Sequence, residues 1–142
     1  MLQSRPLKII VDTNLWVSFV ISKKLTTLDS LLFAKKIRLL FSSELIAEIK
    51  ETVTKPKLKK HFVSNALEEM LLVVDPFVDL ISVVSEVTIC RDVKDNFLLA
   101  LAKDGKADYL LTGDFDLLCI KKFGKTKIGT ITDFIEIMKS LK

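Results

Sequence analysis

Tyr109-Leu110-Leu111-Thr112-Gly113-Asp114-Phe115-Asp116 sets a short apolar run, a glycine and two acids in immediate succession. A short apolar run closed by a turn signal reads as a buried strand. Gly113 lets the chain turn sharply and present Asp114 at the strand's end. A second stretch repeats the arrangement: Leu7 to Val11 is apolar and rich in isoleucine, and Asp12 follows it directly. Ligands of open parallel sheets bind at the carboxyl ends of the strands, which is where both acids fall.

Outward from these two strands the pattern alternates. Asn14 to Ile21 reads as a short helix, and Thr26 with Asp29 makes a capping-box-like start for another, reaching about Lys36. Arg38 to Phe41 is a second strand. Ser42 or Ser43 caps a helix that runs to about Thr54 and is stopped by Pro56. A helix from about Asn65 to Val74 ends near Pro76, and Leu80 to Ile89, full of Ile and Val, reads as a strand. Lys94 to Asp104 is helical, with Gly105 in the place of a C-terminal glycine cap. A short helix over Phe115 to Lys122, a last strand over Lys127 to Ile131 and a helix capped by Thr132 complete the chain. Strands that are short and wholly apolar, alternating with helices, predict an α/β fold with a mainly parallel sheet covered on both faces.

Composition bounds the rest. The chain has 142 residues with 22 Lys or Arg, 18 Asp or Glu, a formal charge of +4 and 49% hydrophobic residues. That length suits one domain, residues 1–142, able to bury about two-thirds of its unfolded surface. High apolar content and small net charge exclude intrinsic disorder. Two cysteines exclude a disulfide scaffold, and Cys90 and Cys119 read as buried thiols of a reducing cytosol. One histidine argues against a His-rich zinc site or a histidine triad. Ile9 to Ile21 superficially resembles a signal peptide behind Arg5 and Lys8, but Asp12 and Asn14 interrupt it and no small-residue cleavage site follows. No window is apolar enough to cross a membrane, so a cytoplasmic location is expected.

Asp12 and Asp114 each have an ordinary explanation, as a helix cap and an Asx-turn. Asp92 and Asp95 lie three apart at a helix start, where capping again explains one of them, though not why two acids and Asn96 gather there. On the helix after Ser43, Leu45, Ile46, Ile49 and Val53 form the buried stripe. Glu44 and Glu51 point away from it, while Glu48 lies at its edge and is best able to reach inward. Together, Asp12, Glu48, Asp95 and Asp114 would crowd carboxylates at one end of a sheet, and carboxylates so crowded repel unless cations intervene. Oxygen donors without His or Cys select hard ions, Mg²⁺ or Mn²⁺. Such ions activate water against phosphodiesters, and a basic remainder of the surface would hold the polyanion.

Ile10-Val11-Asp12-Thr13-Asn14, Ser43 to Ile49, Arg91-Asp92-Val93-Lys94-Asp95-Asn96 and Ala107 to Leu118 resemble, in that order, a PIN domain. The likeness is greatest to the single-domain, VapC-like toxins of toxin–antitoxin pairs, and it runs from about Lys8 to Met138. It implies a Rossmann-like three-layer α/β/α sandwich and a Mg²⁺- or Mn²⁺-dependent endoribonuclease. By position, Asp12, Glu48, Asp95 and Asp114 match the family's acidic quartet. Asp12, Asp95 and Asp114 would bind metal, and Glu48 would bind metal or orient the attacking water. Thr112 and Asn14 would hydrogen-bond the carboxylates, with Asp92 and Asp116 beside them. Val93 stands where many relatives have Pro, a departure that touches no ligand. The resemblance also implies RNA as substrate, a small antitoxin protein as partner and a homodimer.

Two lysine runs remain. Lys55, Lys57, Lys59 and Lys60, with His61, follow the Glu48 helix and are either RNA contacts or solvated loop charges. Lys121, Lys122, Lys125 and Lys127 read as solvated charges. Leu71 to Val84 is apolar enough to supply an interface. A haloacid-dehalogenase-like phosphatase would need an acid where Asn14 stands, and no G-x-G-x-x-G follows the first strand to bind a dinucleotide. A non-catalytic RNA- or protein-binding domain of the same fold is the other reading, and loss of one of the quartet would favour it.

Overall fold

A computed structural model describes residues 5–25, 28–60, 65–90 and 92–140. Thr26, His61 and Arg91 lie outside the described residues. Six strands form one sheet: β1 (Leu7–Val11), β2 (Ile37–Phe41), β3 (Val78–Leu80), β4 (Tyr109–Leu111), β5 (Lys122–Phe123) and β6 (Thr126–Gly129). Their order is β3-β2-β1-β4-β6-β5. Every neighbouring pair is parallel except β5 with β6. Successive strand residues face opposite sides of a sheet, yet Ile9, Ile10 and Val11 are all buried. Both faces of β1 are therefore covered, which makes the α/β/α sandwich expected from the sequence.

The helices are α1 (Thr13–Ser22), α2 (Leu28–Phe33), α3 (Ser43–Val53), α4 (Pro56–Lys59), α5 (Ala66–Val74), α6 (Asn96–Gly105), α7 (Phe115–Leu118) and α8 (Ile131–Ser140). Among the described residues, no helix is long and apolar enough to cross a membrane. The chain moves outward from β1 through β2 to β3, then crosses back to β4 on the other side of β1. Strand order thus reverses between β1 and β4, and at such a switch point the loops diverge and leave a crevice.

Several sequence expectations need correction. The strand expected over Leu80 to Ile89 ends at Leu80; beyond Ile81, whose N–H reaches Phe41 O at 2.8 Å, the chain pairs with no strand among the described residues. Its apolar alternation is real but records burial on one side: Ile81, Val83 and Val87 pack on the core. Asp104 accepts from the backbone N–H of Val84 and Ser85 (2.7 and 2.9 Å), where a strand would otherwise have bonded. Gly105 is not the cap. Lys106 takes the left-handed conformation at φ 55°, and Gly105 is the last helical residue. A Cβ on Gly105 would stand 2.7 Å from Leu40 Cδ1 and 3.3 Å from Ile81 Cγ1, so close packing is what selects glycine there. Thr130, not Thr132, caps α8, accepting from Asp133 N at 3.1 Å. The helix after Asp114 stops at Leu118, because the chain turns into the edge hairpin of β5 and β6. Cys90 is buried as expected, but Cys119 is exposed.

Candidate functional site

Asp12 and Asp114 flank the switch point, one at the end of β1 and the other just beyond β4. Both carry out the capping duty that their sequence position suggests. Asp12 Oδ1 accepts from Leu15 N (2.9 Å) at the start of α1, and Asp114 Oδ1 accepts from Asp116 N (2.9 Å) at the start of α7. A cap of this kind is worth about 1 kcal/mol, which does not account for a carboxylate with only 6% of its surface exposed. Thr112 joins the two acids. Its hydroxyl donates to Asp12 Oδ2 and accepts from Asp114 N (2.9 Å), while its own N–H holds Gly129 O on β6. Burial pushes the Asp12 carboxyl above its ordinary value and the charge of Asp114 adds to the rise, while the Thr112 and Leu15 hydrogen bonds pull the other way.

The remaining acids come from the turn before α6. Asp92 begins a single turn of 3₁₀ helix over Val93–Asp95 and accepts from Lys94 N at 3.1 Å. Asp95 stands at the start of α6 but makes no capping bond, and its Oδ2 is buried without a hydrogen-bond partner. Asp92, Asp95 and Asp114 each bring a carboxylate oxygen within 4.8 Å of the others. At an effective dielectric constant near 20, two charges that close repel by roughly 3–4 kcal/mol. The site responds by keeping a proton. Burial, a hydrogen bond to Asp114 and the charges of Asp114, Asp92 and Asp12 push Asp95 up to about 8. That same hydrogen bond, accepted from Asp95, draws Asp114 down.

Of the sequence candidates, then, Asp95 and Asp114 meet Asp92 directly, and Asp12 joins them through Thr112 and through its charge. Glu48 is half-buried on α3 and outside that tight group. Asn14 is exposed and makes no side-chain hydrogen bond among the described residues, so of the two residues expected to hydrogen-bond the carboxylates only Thr112 does. Asp116 donates its backbone N–H to Asp114. Asn96 and Cys90, given no role from sequence, are also present: Asn96 Oδ1 accepts from Cys90 N at 2.8 Å, and Cys90 Sγ lies 3.9 Å from Asp116 O. The signal available in sequence is a polar Asn on an otherwise Leu- and Ala-rich helix.

The lysines of the first run, Lys55, Lys57, Lys59 and Lys60, are exposed around α4. Those of the second run are partly committed to structure: Lys125 pairs with Asp108 at 3.3 Å and Lys127 lies over the Tyr109 ring.

The donor set fits a hard divalent cation. It offers only carboxylate oxygens, one of them buried and unpartnered. Among the described residues, no Lys or Arg pairs with Asp12, Asp92, Asp95 or Asp114. A negative cluster with no counter-charge among the described residues, at the carboxyl edge of a parallel sheet, defines an acidic-site α/β domain of the Rossmann-like kind. Within that class, the PIN domain family model matches residues 8–116, and the chain belongs to this family. Among solved structures, a chain in the crystal structure of VapBC2 from Rickettsia felis, bound to a DNA fragment from their promoter, shares the fold: the TM-score is 0.58 at 16% identity, covering 86% of this chain and 97% of that one. No curated protein matches the chain.

Proposed function

We propose that the protein is a Mg²⁺- or Mn²⁺-dependent endoribonuclease, the toxin of a toxin–antitoxin pair, acting as a single unit over residues 1–142. The observation that carries the reading is the buried, unpartnered Asp95 Oδ2 in a group of carboxylates that no cation among the described residues pairs with. Asp12, Asp95 and Asp114 would hold the metal, with Glu48 serving the same cleft from α3 and Asp92 completing the tight group. The bound ion supplies a water made acidic near neutral pH and a positive charge against the developing phosphodiester oxyanion. Thr112 holds Asp12 and the Asp114 turn in one arrangement, so the donors need not reorganise when metal enters. Asp95 would hold the ion in its ionised form, and the acids beside it would orient the attacking water toward phosphorus. The single histidine in the chain favours metal-activated water over a histidine base, and Glu48 would bind the metal or orient that water.

Lys55, Lys57, Lys59 and Lys60 would attract the RNA backbone without regard to sequence. The PIN family membership and the fold shared with a chain of VapBC2 support a small antitoxin as partner and a cytoplasmic site of action. Exposed Leu72, Val73, Leu80 and Val84, within the apolar stretch singled out in the sequence, support a homodimer. The test is cleavage of a structured RNA by the purified chain with Mn²⁺ or Mg²⁺, compared with Asp12→Asn. The wild type should cut and the variant should not; equal behaviour would overturn the mechanism, and binding without cleavage would leave the non-catalytic domain.

A further inference from the structure

The acids of the site arrive on separate pieces of chain, and one piece is poorly anchored by its own secondary structure. Asp12 follows β1 and Asp114 follows β4, both inside the sheet's hydrogen-bond ladder. Asp92 comes instead shortly after a strap, residues 81–90, that has no strand partner among the described residues. Two side chains of α6 tie this strap down. Asp104, near the end of the helix, holds Val84 and Ser85. Asn96, at its start, holds the N–H of Cys90.

Asn96 is only 8% exposed, on a helix whose other buried residues are Leu98, Leu99, Ala100, Leu101, Ala102 and Gly105. A buried amide is costly unless it is bonded, and a leucine would suit that helix better on packing grounds. From its place next to Asp95, the Asn96 carbonyl is spent on a backbone N–H two residues before Asp92. Cys90 extends the link. Its sulfur lies against Asp116 O, two residues beyond Asp114, and the N–H of Asp92 points at it. The Asn96–Cys90 contact thus stands where the chain segments bearing Asp92, Asp95 and Asp114 come together.

We propose that Asn96 is a positioning residue of the metal centre. Through the Cys90 amide, its side-chain carbonyl fixes where the Asp92 turn stands relative to Asp95 and Asp114. This rests on the metal-centre reading given above. Groups that orient metal ligands typically change metal affinity by 10–100-fold when removed.

The test is calorimetric titration of Mn²⁺ into wild type, Asn96→Leu, Asn96→Ala, Asn96→Asp and Leu98→Ala, below the melting temperature of each. Asn96→Leu and Asn96→Ala should raise the Mn²⁺ Kd by about 10-fold or more. Asn96→Asp keeps an acceptor for Cys90 N and adds a negative charge beside Asp95, so it should not weaken Mn²⁺ binding, and a loss like that of Asn96→Leu would overturn the role given to the Cys90 bond. Leu98→Ala, a buried neighbour on the same helix, should lower the melting temperature and leave the Kd unchanged. Wild-type affinity in both Asn96→Leu and Asn96→Ala, or a matching loss in Leu98→Ala, would overturn the positioning role while the metal centre stands. No Mn²⁺ binding by the wild type would overturn both.

Discussion

Strand β4 has an aspartate at each end, and the two live in opposite worlds. Asp108, just before the strand, is surrounded by donors: both its oxygens meet the Arg5 guanidinium (3.0 and 3.1 Å), the N–H of Lys8 donates at 2.8 Å, and Lys125 pairs at 3.3 Å. Burial works to raise its carboxyl, but these partners outweigh burial and hold it below the ordinary range. Asp114, just after the strand, meets mostly other acids, and the cost surfaces on Asp95, pushed up to about 8. A protein that needs a carboxylate only for structure neutralises it from within. At the carboxyl edge no Lys or Arg among the described residues pairs with the acids, and on the proposed reading the neutralising charge would come from solution.

The sharpest way to break this contrast is to remove the group that bears the cost. Asp95→Asn should abolish Mn²⁺ binding and lower RNA cleavage on the order of 10³-fold, as loss of one member of a concerted site does. It should at the same time raise the melting temperature of the metal-free protein, because it relieves repulsion at a site tuned for function. For a chain of this size each kcal/mol of relief is worth roughly 3–5 °C. A variant that lost activity and also lost stability would mean that Asp95 is structural, as Asp108 is.

The two ends should also respond to pH in opposite windows. Asp95 keeps in the folded protein a proton that the unfolded chain releases near the ordinary carboxylate value, so between about pH 4 and pH 8 the folded state binds more protons. Metal-free stability should therefore fall as pH rises through that window, and thermal melts from pH 5 to 8.5 should show it. Mn²⁺ competes with the same proton, so its stabilising effect should grow over the same range. Asp108 behaves conversely: its folded value is depressed, so its contribution is complete above the ordinary carboxylate value and is lost only as pH falls below it. A metal-free melting curve flat from pH 5 to 8.5 would count against the proton held by Asp95.

At the other end, Asp108→Ala should cost about 1–2 kcal/mol in chemical denaturation. The range reflects hydrogen bonds to a charged group, discounted because the Arg5 and Lys125 side chains are 57% and 49% exposed. Mn²⁺ affinity should not change. A shift in affinity would mean that the two ends of β4 are coupled through the strand.

How much of this is visible in the sequence follows from the range of the interactions. Asp12 and Asp114 are legible because strand and acid are adjacent in the chain, and Thr112 because it lies two residues from Asp114. The strap reads wrongly as a strand because alternation reports which side of a segment is buried, and α6 buries one side as well as a sheet would. Gly105 misleads for a related reason: local rules offer a cap, while Leu40 and Ile81, far away in sequence, require the missing Cβ. The bond from Asn96 to Cys90 spans a turn whose geometry no local pattern specifies.

The smallest effect belongs to the lysines, and the same contrast orders them. Lys125 and Lys127 are committed to Asp108 and Tyr109. Lys57 and Lys59 are exposed, and no ion pair engages them among the described residues. They follow α3, whose 11 residues span about 16 Å from the sheet's carboxyl edge, so only RNA extending well past the scissile bond would reach them. Replacing both by Gln should raise KM a few-fold with kcat unaltered, and should reduce the salt dependence of binding by about 0.7 in log–log slope for each phosphate no longer neutralised. Lys125→Gln should leave that slope alone and lower stability by less than about 1 kcal/mol. If the slope instead followed Lys125, the RNA path would run along the Asp108 end of the sheet, and the lysines after α3 would be solvated charges.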